Sequence, residues 1–377
     1  MPKFLITALT IFLICISINL NMLQAQNSLD PEDTRMVSSL FERALADGET
    51  YQLLDYLCHN IGHRLSGSKG AAKAVQWTKK VMEDYGFDNV HLQNVMVPHW
   101  ERGDKEVCRI ANSESGDAIE LRVLAIGGSV ATPEDGITAP VVEVFSLDEV
   151  DEIGEAGIRG KIVFYNRAFD HTNINSGPGY GGAVDQRVRG ASRAAKYGAA
   201  AIVIRSVTSS FDDAPHTGTL IYSNDAPRIP AAALGFQSAD RLTEQLKKDK
   251  NTKLFLKMNC QWFPNAPSHN VIGELKGSEK PDEIIVVGGH LDSWDVGHGA
   301  HDDGAGCMQS IMVLRLFQKL GYQPRHTIRA VMFMNEENGV AGGKKYAEIA
   351  KQNNEKHLIA LELSLIHISE PTRLHCI

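Results

Sequence analysis

Residues 288 to 306, GGHLDSWDVGHGAHDDGAG, concentrate side chains that can bind metal ions. This stretch holds three histidines and four aspartates in nineteen positions, with glycines between them. Imidazole and carboxylate together suit zinc, with manganese or cobalt as alternatives. His290 and Asp292 precede a glycine-containing loop that ends at Asp302 and Asp303. The question is whether distant parts of the chain supply the remaining ligands.

Other acidic residues fall at the ends of predicted strands. EIIVVGGH and TIRAVMFM are apolar runs typical of doubly buried strands, and HLIALE begins a third. Helical patterns lie between them, which predicts an α/β fold with a mostly parallel sheet and helices on both faces. His290 follows the first strand, Glu336 and Glu337 follow the second, and Glu362 ends the third. Because ligands gather beyond the carboxyl ends of such strands, these side chains are expected to converge.

A rim of one imidazole and several carboxylates favours a metal-dependent hydrolase. Carboxylates at close range cannot all stay ionised without positive charge nearby. One carboxylate can bridge two ions about 3.5–4 Å apart, as in two-metal hydrolases. Of Glu336 and Glu337, one could bind metal while the other takes a proton from water. Taken singly, each motif is more often a hydrogen-bonded pair, a helix start or a turn. His298 and His301 are interpreted as loop residues.

At these residues the chain resembles peptidase family M28, a group of co-catalytic aminopeptidases and glutamate carboxypeptidases. GGHLDSWDVGHGAHDDGAG and FMNEENGVAGGKKYA resemble the two diagnostic segments of the family. IGHRLSGSKG, VPHWERG, IRSVTSS and PHTG resemble a carboxypeptidase branch of it. The resemblance extends from about Glu42 to Glu362 and implies the zinc-peptidase fold.

The resemblance implies a role for each candidate residue. His290 would bind one metal ion, Asp302 would bridge two, and Glu337 would bind the second. Glu336 would be the general base, and Asp292 would orient His290. The implied activity is that of a di-zinc exopeptidase acting on dipeptides or short peptides, of the carboxypeptidase type. An aminopeptidase of the same family is the alternative, and a homodimer is compatible with the resemblance.

The chain is expected to have five segments. A glycine-punctuated block of short strand patterns resembles a protease-associated domain inserted into the catalytic domain. CQWFPNAPSHN, with two prolines, is predicted to be the linker that closes this block. The segments are a signal peptide (1–25), the first part of the catalytic domain (26–118), the inserted β-rich domain (119–262), the second part of the catalytic domain (263–362) and a tail (363–377).

The N-terminus has the pattern of a secretory signal peptide. Lys3 precedes a nearly continuous apolar run from Phe4 to Ile18, and Ala25 is a plausible last residue before cleavage. An uncleaved anchor is the alternative, but Asn19 and Asn21 interrupt the run. We therefore expect a secreted or periplasmic protein with no stable membrane insertion after cleavage.

The C-terminal residues depart from the family pattern. Glu362 is followed by Ser364 where the family has an aspartate ligand, and the expected later histidine ligand is missing. LSLIHISEPTR resembles the translated read-through of a sequencing adaptor, although a divergent natural tail is the alternative. We expect a C-terminally truncated catalytic domain with a non-native tail, inactive as it stands, from a gene whose full-length product is an active peptidase.

Charge and cysteine content exclude other classes of protein. The formal net charge is −8 and no cluster of Lys and Arg appears, which disfavours a nucleic-acid partner. The four cysteines between the signal and the tail lack CxxC spacing, which excludes a zinc knuckle and favours buried free thiols. These cysteines are Cys58, Cys108, Cys260 and Cys307.

Two other readings share parts of the pattern. Peptidases of family M20 also use a His-x-Asp, an Asp and a Glu pair, but their inserted domain follows the Glu pair. Here the inserted block precedes His290. Receptor-like modules on the same scaffold lose the ligands and the base, whereas this chain keeps His290, Asp302, Glu336 and Glu337.

Overall fold

The computed structural model describes residues 30–111, 118–174 and 176–363. The predicted signal peptide and the tail from Ser364 onward lie outside these ranges. The described residues divide into two compact units, 30–49 with 316–322 and 50–315 with 323–363. Both sheets described below belong to the second unit. Of the described helices, not one is both long and apolar enough to cross a membrane.

The described residues form helices, π-helical turns and strands. The helices are α1 (Pro31–Ala46), α2 (Glu49–Tyr56), α3 (Lys69–Asp84), α4 (Leu147–Ile158), α5 (Ser176–Gly181), α6 (Asp185–Ala195), α7 (Phe236–Lys248), α8 (Ala305–Lys319) and α9 (Ala341–Gln352). The π-helical turns are Leu57–Ile61, which continues α2, and Ala300–Gly304, which leads into α8. The strands are β1 (Asp88–Glu101), β2 (Val107–Ile110), β3 (Ile119–Leu121), β4 (Val123–Ala125), β5 (Ile137–Val144), β6 (Ile162–Tyr165), β7 (Ala201–Arg205), β8 (Ala231–Leu234), β9 (Lys253–Lys257), β10 (Gln261–Leu275), β11 (Lys280–His290), β12 (His326–Phe333) and β13 (Lys356–Glu362).

The first sheet carries the predicted metal-binding segment. It has five strands in the order β1-β10-β12-β11-β13. Strands β12, β11 and β13 are parallel, as predicted, but β1 and β10 are antiparallel to their neighbours. The sheet is therefore mixed, and the prediction of a mostly parallel sheet was only partly right. The residue pattern of a strand does not carry the direction in which that strand pairs with its neighbours.

Helices cover both faces of this sheet. On β10, Ile272 packs in an apolar cluster with Tyr346 of α9, on one face. The adjacent Gly273 faces Met82 of α3, on the other face. Side chains alternate between the two faces of a strand, so one apolar run serves both helices. Gly289 of β11 approaches the first turn of α8, on the α3 side.

The predicted linker CQWFPNAPSHN is a strand instead. Nearly all of it belongs to β10, which pairs with β1 over almost its whole length. Pro264 lies at an irregularity of this pairing, and β12 pairs only with Val271 to Leu275, beyond both prolines. Proline lacks the N–H that a ladder requires and is therefore tolerated where one side of a strand is free or at a bulge.

The second sheet has eight strands in the order β3-β2-β9-β5-β6-β7-β8-β4. Its central strands β5 to β8 are parallel, and their alternate residues enter two apolar clusters. Ile162 and Phe164 belong to the cluster that contains α7, whereas Val163 and Tyr165 belong to the cluster that contains α4 and α6. Strand β2 pairs with β3 and β9 in this sheet. The sheet thus contains strands from within residues 119–262 and one strand before them.

Candidate metal centre

His290 ends β11 and lies almost fully buried, with 4% of its surface exposed. Its Nδ1 is 3.1 Å from the backbone oxygen of Asp292. Because a carbonyl oxygen only accepts, this contact favours the proton on Nδ1. The opposite nitrogen, Nε2, is 2.9 Å from Oδ1 of Asp302. When the ring is neutral, this arrangement leaves Nε2 unprotonated and directed toward the carboxylates, as in a histidine that binds a metal ion.

The Asp292 carboxylate is completely buried and joins two strand ends. Its Oδ1 accepts a hydrogen bond from the backbone N–H of Glu336 at 3.0 Å, and its Oδ2 accepts one from Glu337 at 3.3 Å. Its Oδ1 is 4.0 Å from Nδ1 of His290. Asp292 therefore contacts the His290 ring through its backbone, while its side chain holds the Glu336–Glu337 pair beside β11.

His290, Asp302 and Glu337 come together in three dimensions. One ligand atom from each lies within 4.8 Å of the others. Oε1 of Glu337 is buried and has no hydrogen-bond partner. A buried polar atom without a partner is costly, and a cation among the three ligand atoms would remove that cost. The residues present therefore fit a metal ion.

Glu336 lies beside this cluster but points to a more open position. Its side chain is 45% exposed, and its Oε2 is 4.0 Å from Nε2 of His290. Partial burial raises the pKa of Glu336, and although the charge of His290 opposes the shift, Asp292 and Asp302 add to it. A carboxyl group that is open to solvent and has a raised pKa suits proton exchange with water.

The pKa values of the cluster show how strongly its charges interact. Burial raises the pKa of Glu337 to about 9, and the charge of Asp302 adds to this shift. Burial alone would lower the pKa of His290, but the hydrogen bond that the protonated ring donates to Asp302 and the charge of Asp292 outweigh burial and raise the value to about 10. Without a metal ion, the cluster thus brings together more negative charge than its surroundings can solvate. A bound cation would stabilise this charge.

Asp303 is a buried carboxylate to which the sequence analysis gave no role. Its Oδ2 accepts a hydrogen bond from the backbone N–H of His290 at 3.0 Å, and its Oδ1 accepts one from Gly306 at 3.1 Å. It therefore fastens the end of β11 to the start of α8. Gly289 makes this possible, since a Cβ there would lie 2.5 Å from Oδ2 of Asp303. In the sequence, the features that could have indicated this contact are the DDG triplet at 302–304 and the paired glycines at 288–289 of β11.

Arg64 is a second residue that sequence reasoning missed. Its side chain is fully buried and donates hydrogen bonds to the backbone oxygens of Leu291 at 2.7 Å, His298 at 2.7 Å and Gly299 at 2.9 Å. It thereby ties the two ends of the loop that leads from His290 toward Asp302. Arg64 stands in a segment that was noted only for its resemblance, and its partners are more than two hundred positions away.

The remaining sequence predictions near the site are placed as follows. His298 and His301 are both exposed, and the ring of His298 meets the ring of His59 edge-on at 5.3 Å. Glu362 ends β13 opposite Gly288 of β11. Cys58, Cys108, Cys260 and Cys307 are all buried and free, as predicted. The position expected to hold a further ligand, Ser364, lies outside the described residues.

Comparison with known proteins defines the class of the chain. The profile of Peptidase family M28 matches residues 270–375. The chain is similar to the solved structure of a peptidase M28 precursor from Shewanella amazonensis SB2B, with 36% identity and a TM-score of 0.83 over 88% of this chain and 73% of that one. The chain therefore belongs to peptidase family M28.

Within the family, the similarity is to the carboxypeptidase Q branch. Carboxypeptidase Q of Bos taurus is 37% identical over 320 residues, which are 85% of this chain. The chain spans 65% of the length of that relative. A zinc aminopeptidase from Bacillus subtilis shares the fold, with 22% identity and a TM-score of 0.60 over 84% of this chain and 68% of that one.

Proposed function

We propose that the protein is a zinc-dependent exopeptidase of the carboxypeptidase type that hydrolyses dipeptides or short peptides. The observation that carries the proposal is the convergence of His290, Asp302 and Glu337, with one buried oxygen of Glu337 left without a partner. This donor set of one imidazole and two carboxylates suits zinc, with manganese or cobalt as alternatives.

We propose that His290 would hold one ion and Glu337 a second, and that Asp302 would contribute its carboxylate to holding both. When bound, such ions polarise a peptide carbonyl and lower the pKa of water. Asp292 and Asp303 keep these ligands in place, because their carboxylates bind the backbone N–H groups of the Glu336–Glu337 pair and of His290.

Glu336 is proposed to move the proton. Its Oε2 would accept a proton from the attacking water and deliver it to the nitrogen of the leaving amine. The exposure of its side chain leaves room for water and for a peptide. Its raised pKa lies closer to neutral pH than the pKa of an ordinary glutamate does. Glu337, which is more buried, is better suited to hold a cation than to exchange protons.

The carboxypeptidase assignment rests on the similarity to carboxypeptidase Q rather than on a residue that recognises a free carboxylate. We further propose that residues 119–262 are a protease-associated-like domain inserted in the catalytic domain. Residues 1–25 are proposed to be a signal peptide that directs the protein out of the cytoplasm.

The test is a pair of carboxylate substitutions in the complete gene product. Glu336→Gln removes the proposed base and should lower the turnover of dipeptides by about 100- to 10,000-fold while zinc affinity stays nearly constant. Glu337→Gln removes a proposed ligand and should weaken zinc binding itself.

Zinc content is measured after purification without chelators, and turnover is measured with dipeptides blocked at either end. Blocking the carboxyl end should abolish cleavage if the enzyme is a carboxypeptidase, and blocking the amino end should abolish it if it is an aminopeptidase. A wild-type protein that binds no divalent metal, or a Glu336→Gln variant with unchanged turnover, would contradict the proposal.

A further inference from the structure

A loop of irregular backbone connects two of the proposed metal ligands. Residues 291–301, here called the metal loop, run from His290 to Asp302 and lack regular structure until the π-helical turn. Gly297 and Gly299 within it adopt positive φ angles of 92° and 57°, which glycine tolerates readily. Such a segment has many alternative conformations, so its anchors must set the separation of His290 and Asp302.

Two anchors hold the loop at different places. Arg64 binds the backbone oxygens of Leu291, His298 and Gly299, which are near the ends of the loop. The middle of the loop, Trp294 and Asp295, contacts the second sheet and the segment leading to it. The middle anchor is the less expected one, because it comes from outside the sheet that carries the proposed ligands.

The first part of the middle anchor is a paired salt bridge. Nε of Arg102 is 2.7 Å from Oδ2 of Asp295, and its Nη2 is 2.7 Å from Oδ1. The two side chains are only 10% and 16% exposed. Two parallel bonds between a guanidinium and a carboxylate fix orientation as well as distance. Asp295 therefore has one favoured position relative to Arg102.

Arg102 is in turn fixed against the second sheet. Its guanidinium donates to the backbone oxygen of Ala125, the last residue of β4, and to Oε1 of Glu106 at 3.2 Å. The same Oε1 of Glu106 accepts the backbone N–H of Ala125 at 2.8 Å. These hydrogen bonds fix the guanidinium of Arg102 relative to the end of β4.

The second part of the middle anchor is the ring of Trp294. It packs against the apolar cluster between the second sheet and α7. It also lies directly on Gly127, where a Cβ would be 2.0 Å from the ring atoms Cη2 and Cζ3. The contact exists only because residue 127 has no side chain, so a methyl group there would displace the ring and the loop with it.

We propose that Arg102 and Trp294 are positioning residues through which the second sheet sets the geometry of the metal centre, so that metal affinity depends on contacts outside the ligand-bearing sheet. This inference rests on the proposed function. Arg102 is adjacent to the end of β1 and far from the ligands in sequence. Gly127 lies just beyond the end of β4 of the second sheet, in an isolated bridge with Thr219. Among the described residues, no hydrogen bond or ion pair joins Arg102 to a proposed ligand, and the atoms nearest to Gly127 belong to Trp294 and Gly218. An effect of either residue on metal affinity would therefore have to pass through the metal loop.

The experiment compares zinc dissociation constants in competition with a chromogenic chelator, using the complete gene product. Arg102→Ala should weaken zinc binding by about tenfold or more, the size of effect seen when supporting contacts around a metal site are removed. Arg102→Lys keeps the charge but loses the double hydrogen bond and should give a smaller loss. Gly127→Ala should weaken zinc binding without altering any charge.

The matched control is Arg205→Ala. Arg205 is also a buried arginine of the second sheet, but it binds Asn166 and Asp240 rather than the metal loop. It should reduce thermal stability yet leave the zinc dissociation constant within about twofold, since its contacts do not involve the supports of the metal site. A merely structural role of Arg102 would predict the same behaviour as the control.

The outcomes separate this inference from the proposed function. A wild-type protein without zinc affinity overturns the proposed function. A wild-type protein that binds zinc, together with Arg102→Lys and Gly127→Ala variants that bind it equally well, overturns the inference alone. Should Arg102→Ala fail to fold, those two milder variants decide the matter.

Discussion

The two sheets of the larger unit use burial for different purposes. In the second sheet, Phe164 and Tyr165 are neighbours in β6 and enter apolar clusters on opposite faces, and both are fully buried. In the first sheet, β11 ends in Gly288, Gly289 and His290. Gly288 faces the ring of Phe333, whereas Gly289 and the backbone N–H of His290 meet the carboxylate of Asp303. Large apolar side chains fill the core around β6. At the end of β11, by contrast, small residues leave space in which polar groups can approach the strand.

This difference indicates where stability and chemistry reside. Apolar burial contributes to folding roughly in proportion to area, and it is not directional. A buried carboxylate such as Asp292 contributes little net free energy but fixes the positions of its hydrogen-bond partners. We therefore expect substitutions in the second sheet to change unfolding and substitutions at the end of β11 to change metal binding, with the metal loop as the connection between them.

The largest expected effect on stability is in the second sheet. Phe164→Ala should lower the free energy of unfolding by about 3–5 kcal/mol, because it removes a fully buried ring and leaves a cavity. Urea denaturation measures the loss. Because Phe164 belongs to the apolar cluster against which Trp294 packs, the folded variant should also lose some zinc affinity, but less than Gly127→Ala does. Phe145→Ala is the control, since the ring of Phe145 is 49% exposed. Weaker zinc binding by the Phe164 variant than by Gly127→Ala would show that the core shapes the site more strongly than the contact of Trp294 with Gly127 does.

A smaller loss of stability, joined to a clear loss of metal affinity, is expected at the end of β11. Asp292→Asn replaces a carboxylate oxygen with a donor that faces the backbone N–H of Glu336 or Glu337. It should cost about 1–3 kcal/mol of stability. Zinc binding should weaken about 10- to 100-fold. Calorimetry and chelator competition measure the two quantities.

The control for this variant is on the same strand. Asp282→Asn changes an exposed aspartate near the start of β11, and neither quantity should move. If Asp292→Asn destabilised the fold but left zinc affinity intact, the two regions would not differ in the way that we infer.

The sequence was informative where a pattern is local. The unbroken apolar runs predicted β11 and β12, and the residues after those strands supplied His290, Glu336 and Glu337. The same reasoning failed for β10, because proline content is a local signal whereas the pairing with β1 is not. Arg64, Arg102 and other buried polar groups with distant partners could not be predicted, since nothing near them in sequence marks their hydrogen bonds.

The smallest expected effect tests whether helix N-caps contribute equally to stability in the two regions. Ser68 is the N-cap of α3 beside the first sheet, and Ser146 is the N-cap of α4 beside the second. The hydroxyl oxygen of each accepts a hydrogen bond from a backbone N–H of the first turn at 3.1 Å. Ser68→Ala and Ser146→Ala should each cost about 1 kcal/mol of stability, the usual value of such a cap. Thermal denaturation of both variants measures the cost, and zinc affinity should stay constant in both. A loss of zinc affinity in the Ser68 variant alone would mean that the segment around Ser66, whose hydroxyl donates to Asn338 at 2.9 Å beside Glu337, supports the metal centre as well.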